Sequence, residues 1–147
     1  MRIDILIREI VPQDAPAAAI LSAELGYPAT PEEMKQRIES LLQQADHVIY
    51  VACAAGDVVG WIDVCITSPL AADPRAEIAG LVVSAEARSR GIGRRLVARA
   101  EQWALQRGQT SMLVRSRISR EAAHRFYLRE GYTRTKTSAV FTKQLST

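Results

Sequence analysis

The residues best suited to chemistry lie in LVVSAEARSRGIGRRLV, residues 81–97, where an apolar run meets a basic glycine turn and then a helical pattern. Gly91 and Gly93 let main-chain N–H groups approach a ligand closely, and a helix starting there adds unpaired donors carrying about half a positive charge. Arg88, Arg90, Arg94 and Arg95 bring forked donors that match phosphate oxygens. The segment is suited to an anion, and a pyrophosphate fits it. A GxGxxG pattern would need glycine at 96, where Leu96 stands, and no GxxxxGKS or GxxxxGKT run occurs. Dinucleotide-fold and P-loop readings therefore lose support. The bland alternative is a tight turn at Gly91 surrounded by solvated arginines.

Charge is divided along the chain. Residues 1–87 hold 5 Lys+Arg against 13 Asp+Glu, and residues 88–147 hold 14 against 3, so the net +3 conceals two opposed halves. Such asymmetry suits one surface to an anion and another to a cation. The 147 residues fit one domain, 1–147, and 48% apolar with 24% charged residues excludes a disordered chain. The longest apolar run, 48–55, falls far short of the roughly 20 residues that cross a membrane. The opening MRIDILIREI is broken by Asp4, Arg8 and Glu9, unlike a secretory signal, so a cytoplasmic protein is expected. Cys53 and Cys65 sit in apolar stretches and read as reduced core residues. With them, His47 and His124 form no ligand cluster, so no metal is expected.

The elements that must position the glycine turn follow from periodicity. Ile3, Ile5 and Ile7 alternate with polar residues as in a half-buried strand, and a helix runs from Pro12 and Asp14 to Gly26. Thr30, Pro31 and Glu33 form a helix start ahead of Met34, Ile38, Leu41 and Leu42. Residues 47–55 and 58–67 read as a hairpin turning at Gly56-Asp57, and 76–83 as the next strand. Leu96, Val97, Ala100, Trp103 and Ala104 mark a helix over 93–107, stopped by Gly108. A strand at 112–114, a helix at 121–130 stopped by Gly131 and a last strand at 139–145 complete the order. The class is α/β or α+β, with one mixed, mostly antiparallel sheet and helices on both faces.

Arg88-Ser89-Arg90-Gly91-Ile92-Gly93 resembles the RxxGxG acyl-CoA signature of the GNAT superfamily of N-acetyltransferases. A second block, SREAAHRFYLREGY at 119–132, resembles the family's later helix, with Ala123, Phe126, Tyr127, Gly131 and Tyr132 at its spacing. The stretch AHRFYLREGY, with a later FTK, also looks like the aminoalkylphosphonate N-acetyltransferases. The resemblance implies acetyl-CoA as co-substrate, its pyrophosphate held by backbone amides of Arg88, Ser89, Arg90, Gly91, Ile92, Gly93 and Arg94. It also implies that main-chain N–H groups of Leu81, Val82 and Val83, freed where strands splay, polarise the acetyl carbonyl. Arg120 occupies the position where many members carry an asparagine on the pantetheine arm, and Ala123 follows in the same site.

Amine acetylation needs a base, because an alkylamine with a pKa of about 10.4 is protonated at neutral pH. The resemblance gives this role to Glu77; the alternative is a strand-end carboxylate paired with Arg75 or another arginine. It makes Tyr127 the acid that protonates the leaving thiolate, whereas periodicity alone makes Tyr127 part of an apolar helix face. His124, one turn earlier, is either a second candidate base or a surface residue. The implied reaction is direct transfer to a primary amine, with a small-molecule acceptor preferred over a protein or peptide. Glu24, Asp46, Asp63 and Asp73 can attract a cationic amine, whereas an aminoalkylphosphonate needs Arg115 or Arg117 for its anionic end. A homodimer is possible through C-terminal strands, as the family often has.

Two non-catalytic readings compete: an acetyl-CoA sensor, and a nucleic-acid-binding module using the basic half. Only 5% aromatic residues and no RNP-like or C2H2 spacing argue against the second, so neither nucleic acid nor membrane is expected as a partner.

Overall fold

The structure is a computed structural model that describes residues 4–146. The chain groups into two compact units, Met1–Arg115 and Ser116–Thr147. In the first, β1 (Ile5–Glu9), β2 (His47–Ala54), β3 (Asp57–Thr67), β4 (Arg75–Val83) and β5 (Met112–Val114) form one sheet in that order. Neighbours are antiparallel except β4 and β5, which run parallel. Helices α1 (Ala15–Leu25), α2 (Pro31–Leu42) and α3 (Ile92–Gln106) complete the unit. Ile3, the first of the alternating residues, lies outside the described residues.

Burial follows alternation. Ile49 and Val51 of β2 meet Ile10, Ala15, Ala18 and Ile38, with Cys53 and Trp61 partly buried beside them, so α1 and α2 cover this face. Tyr50 points the other way, toward α3, where the Arg99 guanidinium lies 4.5 Å from its ring centroid. Leu96, Val97 and Ala100 of α3 are buried there. Covered on both sides, β2 reads HVIYVACA, a nearly unbroken apolar run. Cys53 and Cys65 are reduced but only half-buried, less enclosed than core residues.

Local rules fix the ends. Thr30 accepts the Glu33 N–H at 3.1 Å while the Glu33 carboxylate accepts the Thr30 N–H at 3.0 Å, closing the expected helix start. Arg8 grips Asp14 with both terminal nitrogens, at 2.8 and 2.9 Å, tying β1 to the short turn before α1. The β2–β3 turn is made by Ala55 (φ 52°) and Gly56 (φ 86°), not Gly56-Asp57. Both turn residues take positive φ as a two-residue hairpin requires, and Asp57 already belongs to β3.

In the second unit, α4 (Glu121–Arg129) stacks Tyr127 edge-on between Phe126 and Tyr132, with ring centroids 5.2 and 5.8 Å away. The expected strand at 139–145 does not form. Residues 133–146 are exposed and carry no strand, with Val140 at 86% and Phe141 at 92% exposure. Strand propensity expresses fit to a neighbour, and the described sheet offers this segment none.

Candidate functional site

The site grows from β4, RAEIAGLVV. Its pairing with β5 covers only Ala76, Glu77 and Ile78, so the two parallel strands part after Ile78. From Ala79 onward, that edge of β4 has no ladder partner among the described residues, while Leu81, Val82 and Val83 stay paired to Ile62, Trp61 and Gly60 on the other side. Register jumps from Asp63↔Gly80 to Val64↔Ile78, leaving Ala79 as the extra residue of a bulge. Such bulges re-aim side chains and end pairing. Gly80 is required here: a Cβ would lie 2.9 Å from the Trp61 ring, which crosses β4 while its indole N–H donates to the Ala18 carbonyl at 3.3 Å.

Cross-strand register puts His47, Cys65 and Glu77 in one row on the α1/α2 side of the sheet. The His47 ring is hydrogen-bonded to Asp63. Glu77 accepts from Arg115 Nη1 at 2.7 Å; the Glu77 side chain is 17% exposed and that of Arg115 60%. The ion pair is thus formed with Arg115, not with the neighbouring Arg75. Burial pushes the Cys65 thiol above its ordinary value, and the charges of Glu77 and Asp63 push it further.

Beyond β4 the chain makes the short turn Ala85–Ala87 and enters the glycine turn. Ser84 donates to the Val59 carbonyl at 2.7 Å, and Arg88 Nε to the Val83 carbonyl at 3.3 Å. Ser89 (φ 68°) and Gly91 (φ 75°) are both left-handed, and Arg88 and Arg90 are exposed beside them. Gly91 caps α3 without a side-chain acceptor, so the N–H groups at the helix start point to whatever lies before it. Ile92 is buried and anchors the turn, while Gly93 and Arg94 lie in the first helical turn. Left-handed residues feeding an uncapped helix start make a concavity for an oxyanion, and the arginines match a diphosphate.

The second unit carries the remaining residues. Arg120 is the N-cap of α4, and Ala123 is half-buried one turn before Tyr127. Burial pushes the Tyr127 phenol above its ordinary value, with the Arg120 charge partly opposing. His124 Nε2 lies 2.8 Å from the Arg117 carbonyl, an acceptor that needs the proton on that nitrogen, so Nε2 does not serve as a base in this arrangement. Among the acidic residues expected to draw a cation, Glu24 accepts the Ala85 N–H, Asp46 lies 3.7 Å from Arg107, and Asp73 is exposed. Only Asp63 shares the sheet face of Glu77. Periodicity could not reveal the His47–Asp63 and Glu77–Arg115 pairs, because each depends on cross-strand register.

Residues 15–132 match the acetyltransferase (GNAT) family. This chain belongs to that family. It is 27% identical over 140 residues to aminoglycoside N(6')-acetyltransferase type 1 of Stenotrophomonas maltophilia, covering 92% of this chain and 90% of that one. It is also 42% identical over 83 residues to the aminoalkylphosphonate N-acetyltransferase of Salmonella typhimurium LT2, covering 56% of this chain and 54%, about half, of that relative. The fold matches that of aminoglycoside N-acetyltransferase AAC(6')-Iy in complex with CoA, with TM-score 0.87 at 19% identity, over 98% of this GNAT chain and 97% of the other. No helix among the described residues is long and apolar enough to cross a membrane.

Proposed function

We propose that this GNAT protein transfers the acetyl group of acetyl-CoA to the primary amine of a small molecule by direct attack. The coenzyme diphosphate is held by main-chain N–H groups of Arg88–Arg94, and Arg120 and Ala123 are assigned to its arm. The ammonium group of the acceptor gives a proton to the Glu77 carboxylate, and the neutral nitrogen then attacks the thioester carbon. The C–N bond forms first, giving a tetrahedral oxyanion; its collapse breaks the C–S bond, and the nitrogen releases its second proton to solvent. Amides at Leu81, Val82 and Val83 stabilise the oxyanion, and the Tyr127 phenol protonates the leaving thiolate.

The observation that carries this reading is the placement of Glu77: mostly buried, on the last β5-paired stretch of β4, at the foot of the unpaired edge that leads into the glycine turn. Tyr127 supports it with a phenol whose proton is retained through neutral pH. Named relatives acetylate amines of small molecules, which favours that acceptor class over a protein or peptide. The test is thiol release from acetyl-CoA across aminoglycosides, polyamines, aminoalkylphosphonates, amino acids and peptides. Release with small amines supports the proposal, and release with peptides alone replaces it; coenzyme binding without release from any amine indicates a sensor.

A zwitterionic acceptor is favoured by one specific contact. Arg115 is already paired with Glu77, so a purely cationic acceptor competes with the guanidinium for the carboxylate and returns it to solvent. An acceptor carrying both an ammonium and an anionic group re-pairs both side chains, the first with Glu77 and the second with Arg115.

The same proposal includes a homodimer in the cytoplasm. Exposed Val140, Phe141 and Leu145, on a segment with no strand partner among the described residues, support pairing with a second copy, and two cysteines outside any disulfide suit a reducing compartment.

A further inference from the structure

Glu24 stands in the last turn of α1, yet its carboxylate Oε1 accepts the Ala85 N–H at 3.0 Å, across 61 residues of sequence. Ala85 is the first residue of the short turn Ala85–Ala87 that leads from β4 into Arg88. The turn's own hydrogen bond, Ala87 N–H to the Ser84 carbonyl at 2.9 Å, leaves the Ala85 donor without a partner inside the turn. Glu24 supplies that partner from outside. The helix carrying it is anchored: the Trp61 indole donates to the Ala18 carbonyl, and Ser22 Oγ closes the helix end on the Tyr27 carbonyl at 2.5 Å.

On charge alone, a carboxylate near a diphosphate site is misplaced, because it repels the ligand. The hydrogen bond accounts for it. We propose that Glu24 is a positioning residue for coenzyme binding. By holding the Ala85 N–H, it sets the direction in which the chain enters Arg88–Gly93. The contact also joins the coenzyme turn to α1, which covers the sheet face that bears Glu77. This inference rests on the reading of the glycine turn as the coenzyme site.

The test measures CoA affinity by calorimetry at fixed ionic strength, together with KM and kcat for acetyl-CoA, on the full chain. Glu24 is exposed, so its variants keep the fold. Glu24→Ala is expected to weaken CoA binding and raise KM about tenfold, the scale of one hydrogen bond to a charged group, with kcat within about twofold. Glu24→Gln keeps an acceptor oxygen and stays within about threefold of wild type. Ala85→Pro deletes the same donor at the first turn position, where the extended Ser84 (ψ 138°) accommodates a proline. It should match Glu24→Ala, and the double variant should bind no more weakly than either.

The inference is overturned by a Glu24→Ala protein that binds CoA as well as or better than wild type, the latter being what removal of a repelling charge alone would give. Additive losses in the double variant overturn it too. Gly91→Val separates the two levels: if it alone loses CoA affinity, the coenzyme reading stands and the Glu24 role falls. If Gly91→Val binds CoA normally, both fall.

Discussion

Arg115 Nη1 donates to Glu77 Oε1 at 2.7 Å, joining the end of β5 to β4 at the point where the two strands part. The guanidinium is mostly exposed, so the pair contributes at most about 1 kcal/mol to stability. Its consequence is for ligands. Arg115→Ala is expected to raise KM for 2-aminoethylphosphonate about tenfold while leaving KM for an aminoglycoside unchanged or lower. Steady-state thiol release with both acceptors decides it; equal changes in the two KM values remove the zwitterion reading.

Tyr127 is expected to act through its proton. Burial raises its phenol above the ordinary value of about 10, so the donor stays protonated throughout the range from pH 7 to 9 and is lost only above it. Tyr127→Phe should therefore lower kcat about 100-fold by a constant factor over that range, with KM for acetyl-CoA unchanged. A ratio that varied with pH, or unchanged turnover, would take Tyr127 out of the proton transfer.

Asp14 links stability to acid. The hydrogen bonds from Arg8 hold its carboxyl below the usual range, with the Val11 N–H assisting. A carboxyl whose folded value is depressed contributes stability above its unfolded value, about 3.9, and loses that contribution as pH falls through the folded value. Asp14→Ala is expected to cost about 2 kcal/mol at pH 7, and the deficit should shrink below pH 4. Urea unfolding at both pH values measures it.

Phe141, 92% exposed on its unpaired segment, tests self-association. Phe141→Lys places a charge in the strand contact inferred between copies and should convert a dimer to a monomer in analytical ultracentrifugation. Wild-type protein sedimenting as a monomer at micromolar concentration contradicts the dimer.

Much of this was legible along the chain because it depends on neighbours in sequence. The α3 stripe of Leu96, Val97, Ala100, Trp103 and Ala104 is buried as its spacing requires, and the Thr30–Glu33 cap forms as its residues dictate. The hairpin turn shifted by one residue because Ala55 accepts a left-handed conformation that composition favours at glycine or asparagine. The segment at 139–145 has the residues of a strand but no strand partner among the described residues. The Glu77–Arg115 and His47–Asp63 pairs follow from the side-by-side placement of strands, and the parting of β4 from β5 from a three-residue ladder. None of these leaves a periodic trace.

The central claim is that Glu77 takes the proton of an amine attacking acetyl-CoA. Amine-dependent thiol release by Glu77→Gln, measured beside wild type at saturating acetyl-CoA, tests it most directly. We expect kcat to fall about 100-fold or more with coenzyme affinity and melting temperature retained. A Glu77→Gln protein that turns over amines at the wild-type rate would contradict it.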